Sequence, residues 1–366
     1  MKNVAGIVST NYGSYSFGAL LDHRPVASLP FGGRYRLVDF PLSNLVNAGI
    51  TTIGLITPYH FRSVLDHVGV GKEWNLARKS GGMFVLPGSV YGFKSLHGKL
   101  LLRDLVENRA YLDRTSDSTL VIAGASSVMN IDLRPVIESH FDSGAQITLI
   151  YRRGEGDSRT PGYRLTVGDD GRVVRISDAP GGADGIFLDH LIIEHETMVR
   201  LLDLYASAGY LDLIEVIRDN LSSLDVRGHV FEGYVRMINS LEDYVQCSHD
   251  LFSPVINDEL FMGERPIYTK VQDNPPAKYL SGSVKNAIIA TGCTIEGDVS
   301  DSILFRNVTV GKGAVIKNSI IYQRCIIEPG AQLENVICDK FAHIRAGVQL
   351  SGTAESPFVV AKYQVI

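Results

Sequence analysis

Short apolar runs alternate with amphipathic segments along the first half of the chain. The apolar runs cover residues 4–10, 52–57, 119–124 and 145–151, and polar residues rarely interrupt them. Runs of this length and composition are typical of strands that are buried on both faces of a sheet. The sequence therefore predicts a set of buried strands in this half.

Three segments between these runs have helical periodicity with start or stop residues at their ends, namely 41–49, 100–112 and 132–144. In the last of them, Asp132 is a predicted N-cap and Gly144 a predicted C-terminal stop. Strands that alternate with helices predict a mostly parallel, doubly wound sheet. Because ligands bind beyond the carboxyl ends of such strands, we expect a site at the loops after residues 10 and 124.

The last eighty or so residues follow a different period. The similar segments 301–305, 318–322 and 334–338 recur about every seventeen residues. Apolar residues also fall six positions apart, at Val315, Ile321, Ile327 and Leu333. Three six-residue edges make one coil of roughly eighteen residues, which is the signature of a parallel β-helix. A β-sandwich is the alternative, and the regular six-residue spacing favours the β-helix.

The two patterns divide the chain into two domains, as its length of 366 residues also suggests. Residues 273–283 have the Pro, Gly and Ser content of a linker. We predict an α/β domain over residues 1–250, a linker over 251–284 and a β-helix over 285–366.

Composition excludes several classes of protein. No apolar run reaches membrane-spanning length, and the N-terminus makes a poor signal peptide because its apolar stretch is short. The four cysteines lack CxxC spacing, which favours buried thiols of a cytosolic protein. A net charge of −5 does not provide the basic surface that nucleic-acid binding requires. We expect a cytoplasmic protein with neither a membrane nor a nucleic-acid partner.

The stretch RPVASLPFGGRYRLVDFPLSN, residues 24–44, is the candidate ligand site. Its candidate effector- or substrate-binding residues are Arg24, Gly32, Gly33, Arg34, Arg36 and Asp39. Arginine suits two-point recognition of phosphate. The alternative is a structural role, in which the two glycines form a tight turn and Asp39 pairs with Arg34 or Arg36.

Several motifs resemble those of the glucose-1-phosphate adenylyltransferase (ADP-glucose pyrophosphorylase) family. They are LPFGGRYRLVDFPLSNLVNAGI, VAGIV, VIAG, GDDGRVVRI and YVRMINSLEDY, and together with the hexapeptide repeats they span nearly the whole chain. The resemblance implies a nucleotidyltransferase-like α/β domain, with a mostly parallel Rossmann-like sheet, followed by a left-handed parallel β-helix.

The resemblance also implies a demanding chemistry for active members. Glucose 1-phosphate attacks the α-phosphorus of ATP, and pyrophosphate leaves. Positioning and neutralisation of phosphate charge supply most of the rate. The family uses a basic Gly-rich loop, two phosphate-binding lysines and two aspartates that hold Mg²⁺.

In this chain the matching positions are uncharged. Val26 and Ala179 replace the two lysines, Ala125 and Met237 replace the two aspartates, and the loop at 11–22 has no Lys or Arg. Losing a single charge-assisted contact commonly costs orders of magnitude in rate. The resemblance therefore implies that this chain has no catalytic residues and binds no metal or other cofactor.

The pattern is similar to the degenerate, GlgD-type branch of the family. That resemblance implies a regulatory subunit for glycogen biosynthesis, which joins a catalytic GlgC-type subunit in a hetero-oligomer, expected to be a tetramer. Mg²⁺ and ATP would be used by that partner. Arg34 matches a position that contacts a phosphorylated effector in catalytic relatives, and Arg306 is expected to face the same cleft.

Two other hypotheses stay open. An active nucleotidyltransferase with a relocated metal site would rely on Asp132, one turn downstream of the lost aspartate. A sugar-phosphate-sensing scaffold would act without a catalytic partner. A minor candidate is the segment with Lys94, His97 and Lys99, which we interpret as a solvated loop rather than a phosphate site. Another is His343, a weak candidate for a general base.

Overall fold

The apolar runs of the first half form one mixed sheet. The computed structural model describes residues 3–10, 17–57, 60–88, 100–154, 162–179 and 183–366. The strands of the α/β domain are β1 Asn3–Ser9, β2 Pro30–Phe31, β3 Tyr35–Arg36, β4 Thr52–Thr57, β5 Gly82–Pro87, β6 Ser118–Gly124, β7 Ser127–Val128, β8 Ile147–Arg153, β9 Arg164–Val167, β10 Val173–Ser177, β11 Gly185–Ile193, β12 Val226–Val230 and β13 Arg236–Met237.

Nine of these strands make the central sheet. Its main order is β10-β9-β11-β6-β1-β4-β5, and β8 joins β11 to β12. The strands β6, β1, β4 and β5 run parallel, whereas β11 is antiparallel to β6 and β8. Ile7 and Val8 of β1 are each inaccessible and belong to cores on opposite faces. Burial on both faces explains why the run has almost no polar positions.

Helices form at the three predicted places and at other places that were not predicted. They are α1 Asp39–Asn47, α2 Arg62–Val68, α3 Leu102–Glu107, α4 Arg109–Arg114, α5 Leu133–Ser143, α6 His195–Leu204, α7 Leu213–Asp219, α8 Leu241–Asp250 and α9 Pro254–Phe261, with 3-10 turns at Gly18–Leu21, Val26–Ser28 and Lys72–Trp74. Asp132 caps α5 by accepting the backbone N–H of Arg134, and Gly144 ends that helix at φ 65°. The helix predicted over 100–112 is divided at Asn108, whose amide donates to the carbonyl of Pro87.

The C-terminal domain is a parallel β-helix, as the six-residue spacing predicts. Its strands are β14 Lys278–Tyr279, β15 Val284–Lys285, β16 Ile288–Ile289, β17 Thr294–Ile295, β18 Asp298–Ser300, β19 Ile303–Leu304, β20 Thr309–Val310, β21 Val315–Lys317, β22 Ile320–Ile321, β23 Ile326–Ile327, β24 Gln332–Glu334, β25 Val336–Cys338, β26 His343–Ile344, β27 Gln349–Ser351 and β28 Phe358–Val360. They form three five-stranded sheets with every pairing parallel, consistent with a left-handed β-helix.

One sheet of the β-helix packs against the α/β domain. Ile303, Ile320 and Ile337 lie in the same apolar core as Phe31 and Leu29. The range predicted as a linker, 251–284, contains α9 and β14 and is bonded to the α/β domain. Both interactions hold the two domains in one arrangement.

The extended segment between α9 and β14 follows the surface of the α/β domain. The backbone N–H of Tyr268 donates to Oγ of Ser43 at 2.9 Å, and Nζ of Lys270 donates to the carbonyl of Asp66 at 2.6 Å.

Within the described ranges, no helix has the length and apolar character needed to cross a membrane.

Candidate functional site

A hairpin of the α/β domain meets the β-helix at a polar cleft. In the hairpin, Pro30 pairs with Arg36 and Phe31 with Tyr35, so Gly32, Gly33 and Arg34 form its turn. Both glycines have positive φ, 54° and 80°, which side-chain-bearing residues rarely adopt. A Cβ on Gly33 would lie 3.4 Å from Ile288, so the glycine also permits close approach of the β-helix.

The cleft collects positive charge from both domains. Its polar lining consists of Arg34, Tyr35, Arg36, His67, Gln272, Arg306 and Gln323. Arg34 and Arg306 also line an adjoining open groove of about 420 Å³. Among the described residues, neither of these two arginines has an ion-pair partner. The groove is therefore large enough and positive enough to hold a phosphorylated small molecule.

The positively charged arginines of the cleft repel each other, and this repulsion contributes to their pKa shifts. Burial, and then the positive charge of Arg34, lower the pKa of Arg306. Burial likewise lowers the pKa of Arg36 to about 10. An anion in the cleft would relieve this repulsion, since opposite charge favours the protonated guanidinium.

Asp39 forms a different pair from the one expected. Its Oδ1 lies 2.6 Å from Nε2 of His67, and its Oδ2 accepts the backbone N–H of Arg36 at 3.0 Å. The guanidinium of Arg36 points elsewhere and donates to the carbonyl of Ser63. The predicted pairing of Asp39 with an arginine side chain is therefore wrong, because Asp39 is inaccessible at the start of α1 and faces α2. Burial lowers the pKa of His67 despite this carboxylate.

Arg24 lies outside the cleft lining and joins the two domains. Its Nη2 lies 2.8 Å from both carboxylate oxygens of Asp339 in the β-helix. Its side chain is 4% exposed, and its Nη1 is buried without a hydrogen-bond partner. Arg24 is therefore not part of the cleft lining that contains Arg34, Arg36 and Arg306.

Ala125 and Met237, which the resemblance matches to metal-binding aspartates, lie on adjacent segments. Met237 of β13 pairs with Ser127 of β7, which lies two residues after Ala125. Ala125 is inaccessible, and its N–H donates to the carbonyl of Ser9 at 3.0 Å. Over the described part of the chain, no three His, Cys, Asp or Glu side chains are grouped to hold a metal ion.

Val26 and Ala179, which the resemblance matches to phosphate-binding lysines, have different environments. Val26 is 3% exposed within the apolar core that joins the domains, so the ammonium group of a lysine there would be desolvated. Ala179 follows β10 and is exposed. Both positions lack any charge for a phosphate.

A second, mostly apolar pocket lies at the carboxyl ends of β1 and β6. Ser9, Gly124, Asp189 and Asp212 contribute its polar lining. Asp212 caps α7, and burial raises the pKa of its carboxyl to about 7. Sequence reasoning missed Asp212, although the spacing of Asp212 and Glu215 is a capping-box signal. An apolar lining with two carboxyls disfavours a polyphosphate.

The remaining candidates have other surroundings. Asp132 pairs with Arg134 at 2.7 Å and lies 3.8 Å from Arg265, so its charge is already compensated. His343 pairs with Glu328 at 2.6 Å. Residues 94, 97 and 99 lie outside the described ranges.

Comparison with known proteins agrees with this architecture. The nucleotidyl transferase family profile matches residues 22–210, and the GlmU-like C-terminal hexapeptide profile matches residues 275–356. The glycogen biosynthesis proteins GlgD of Bacillus subtilis and Geobacillus stearothermophilus are 34% and 38% identical, each over 99% of this chain and 96% of its own length. The glucose-1-phosphate adenylyltransferase of Thermotoga maritima is 29% identical over 87% of this chain and 77% of its own. The chain therefore belongs to the GlgD family of glycogen biosynthesis proteins, within the wider glucose-1-phosphate adenylyltransferase family.

Proposed function

We propose that this chain is a catalytically inactive, regulatory subunit of a cytoplasmic glucose-1-phosphate adenylyltransferase in glycogen biosynthesis. The observation that carries the proposal is the pair Ala125 and Met237. These positions remain close together through β7 and β13, yet neither supplies a carboxylate. Without metal ligands or phosphate lysines, the usual transfer of an adenylyl group lacks its charge stabilisation.

The catalytic partner would be a GlgC-type subunit, and the first coil of the β-helix is the surface we assign to it. Tyr279 and Val284 continue two inward-facing ladders of the β-helix, but they are 59% and 40% exposed. At the opposite end, backbone hydrogen bonds pair Ile366 with the strand β26 of the last coil. An uncovered apolar coil with free strand edges favours pairing with another chain, and we expect a heterotetramer.

The regulatory signal would be a phosphorylated metabolite bound between Arg34 and Arg306. The two guanidinium groups come from different domains, so one anion between them would draw the hairpin and the β-helix together. The groove beside them is open to solvent and large enough for a sugar phosphate.

The test is ADP-glucose synthesis with Mg²⁺, ATP and glucose 1-phosphate, using the purified chain alone and mixed with a catalytic GlgC-type subunit. We expect no activity from the chain alone and an altered rate or substrate affinity in the mixture. Activity of the chain alone would overturn the proposal in favour of a relocated metal site. A mixture that behaves as the catalytic subunit alone would instead favour a scaffold.

Two variants separate partner binding from effector binding. Leu280→Asp, on the exposed first coil, should abolish co-elution with the catalytic subunit, whereas Ile326→Asp on an outer face should not. Arg34→Gln combined with Arg306→Gln should weaken binding of sugar phosphates at least about tenfold, as expected for losing charge-assisted hydrogen bonds. Arg345→Gln, exposed elsewhere on the β-helix, is the matched control.

A further inference from the structure

The guanidinium group of Arg34 contacts an aromatic ring instead of a hydrogen-bond acceptor. Among the described residues, its nitrogens take part in no hydrogen bond or ion pair. Its Cζ lies over the ring of Tyr35, 5.1 Å from the ring centroid. A guanidinium that stacks on an aromatic face keeps its in-plane N–H groups available, and these groups match the oxygens of a phosphate in pairs.

Two neighbouring arginines are held in a different way. Nη2 of Arg24 is bonded to both carboxylate oxygens of Asp339, and Nη1 of Arg36 donates to the carbonyl of Ser63. Each of these contacts fixes a side chain but also occupies one of its donors. Arg34 is fixed by a ring, so its donors stay free for a ligand.

The ring of Tyr35 is itself held by other aromatic rings. Phe261 stacks on it, with the two centroids 4.8 Å apart and the two planes 8° from parallel. Phe40 lies beside both rings, 6.3 Å from Tyr35 and 6.2 Å from Phe261 between centroids. Because Phe261 covers one face of the Tyr35 ring, the guanidinium of Arg34 has the other face. The three groups form a stack in the order Arg34, Tyr35, Phe261.

The far end of this stack is anchored in the α/β domain. Phe261 is the last residue of α9, and its neighbour Leu260 is inaccessible. The side-chain amide of Asn130 donates to the carbonyl of Leu260 at 2.9 Å and to that of Arg265 at 2.8 Å. These bonds fix the end of α9, and therefore the position of Phe261 against the hairpin.

We propose that Tyr35 is a positioning residue of the anion site, whose ring, clamped by Phe261, holds the guanidinium of Arg34 in the cleft. Arg34 and Tyr35 both line that cleft. An unrestrained arginine side chain loses rotamer freedom when it binds an anion, whereas one already held by a ring loses less. The proposal deepens the effector site proposed above and rests on it for the nature of the ligand.

The first measurement needs no ligand. Side-chain NMR of the full-length chain, labelled with ¹⁵N-arginine, follows the Nε–Hε signal of Arg34, which is identified by its loss in Arg34→Gln. We expect this group to be ordered on the picosecond-to-nanosecond timescale in the wild type and in Tyr35→Phe, but mobile in Tyr35→Leu. Tyr210→Leu is the matched control, since the Tyr210 side chain is 61% exposed elsewhere on the α/β domain. Equal mobility in the wild type and Tyr35→Leu would overturn the proposal.

The second measurement is isothermal titration calorimetry with glucose 6-phosphate as the probe. We expect Tyr35→Leu to weaken binding about two- to fivefold, the factor for losing one exposed cation–π contact. Tyr35→Phe and Tyr210→Leu should bind as the wild type does. Equal losses in Tyr35→Phe and Tyr35→Leu would assign the effect to the hydroxyl and overturn positioning by the ring.

Failure of the effector site itself has a different signature. Arg34→Gln combined with Arg306→Gln would then bind the probe as well as the wild type, which would overturn the site and this role of Tyr35 together. If that double variant loses affinity while Tyr35→Leu binds normally, the site stands and the positioning role is refuted.

A variant in α9 tests the same stack from its other end. Phe261→Leu removes the clamp without changing Tyr35, so we expect a more mobile Arg34 and a smaller loss of affinity than in Tyr35→Leu. This variant decides the question if Tyr35→Leu fails to fold. Wild-type mobility of Arg34 together with wild-type affinity in Phe261→Leu would contradict the clamp.

Discussion

Arg24 of the α/β domain and Asp339 of the β-helix form a buried ion pair across the domain boundary. One guanidinium nitrogen, Nη2, lies 2.8 Å from each carboxylate oxygen. The side chains are only 4% and 1% exposed, so both charges have left water. Such a pair constrains the arrangement of two domains because a shift of either one leaves a buried charge uncompensated.

Removing both members of this pair should cost less than the sum of the two single losses. We expect Arg24→Met and Asp339→Asn each to lower the free energy of unfolding by about 3–5 kcal/mol, and the double variant to lose less than the sum. Urea unfolding of the four proteins measures the coupling. Arg134→Met is the control, since its pair with Asp132 is exposed and should contribute less than about 1 kcal/mol. Additive losses in the double variant would contradict the coupling.

Two tyrosines form a hydrogen-bonded chain between the domains. The hydroxyl of Tyr322 donates to that of Tyr244 at 2.8 Å, which donates to the carbonyl of Pro30 at 2.6 Å. Both side chains are inaccessible. Tyr244→Phe leaves the Tyr322 hydroxyl and the Pro30 carbonyl unpaired, so we expect a loss of roughly 1–3 kcal/mol.

Tyr322→Phe should be milder, at about 0.5–1.5 kcal/mol, because the bond from Tyr244 to Pro30 survives. Thermal unfolding of both variants gives the order. Equal losses, or a larger loss for Tyr322→Phe, would contradict the central position of the Tyr244 hydroxyl in this hydrogen-bonded chain.

Local patterns predicted the elements of this fold, whereas contacts between distant segments escaped prediction. The run containing Ile7 and Val8 indicates a strand buried on both faces, because each residue must be apolar for its own face. Asp132 and Gly144 mark the ends of α5 because capping involves neighbours in sequence. Nothing local indicates that Asp339 is the partner of Arg24, 315 residues away.

The candidate site shows the same division. Alignment of motifs identified Arg34 and Arg306, and the structure places both beside one groove. The predicted partner of Asp39 was wrong, because His67 contacts Asp39 only through the packing of α2 on α1.

Introducing aspartates at positions 125 and 237, which the resemblance matches to metal ligands, should create metal binding before it creates activity. Ala125→Asp combined with Met237→Asp places two carboxylates at neighbouring, poorly exposed positions, where they repel each other and lower the melting temperature. Mn²⁺ should recover that loss, since a ligand at 100 times its Kd stabilises by about 2.7 kcal/mol.

The control for this experiment is Ala125→Asn combined with Met237→Asn, which has similar size without the charges. A titration of melting temperature against Mn²⁺ compares the two. If Mn²⁺ affects them equally, the two positions are not arranged as a metal site.

Asp212 should make stability fall as pH rises. Burial raises the pKa of its carboxyl from an ordinary value of 3.8 to about 7, so between these values the folded chain retains a proton that the unfolded chain releases. The free energy of unfolding then decreases with increasing pH, by up to about 1.4 kcal/mol per pH unit. Asp212→Asn removes this titration. The carboxyl oxygens of Asp212 accept the backbone N–H groups of Leu100 and Ile214, and the amide of Asn weakens one of these two hydrogen bonds.

The informative quantity is the wild-type free energy of unfolding minus that of the variant, measured in urea between pH 4 and pH 8. For Asp212→Asn we expect this difference to decrease up to about pH 7 and then to level off. Asp132→Asn supplies the opposite sign, because the hydrogen bond from Arg134 lowers the pKa of Asp132 and its stabilisation is lost as pH falls. A difference for Asp212→Asn that is constant with pH would mean that this carboxyl stays ionised in the folded protein, and the second pocket would then carry a negative charge at neutral pH.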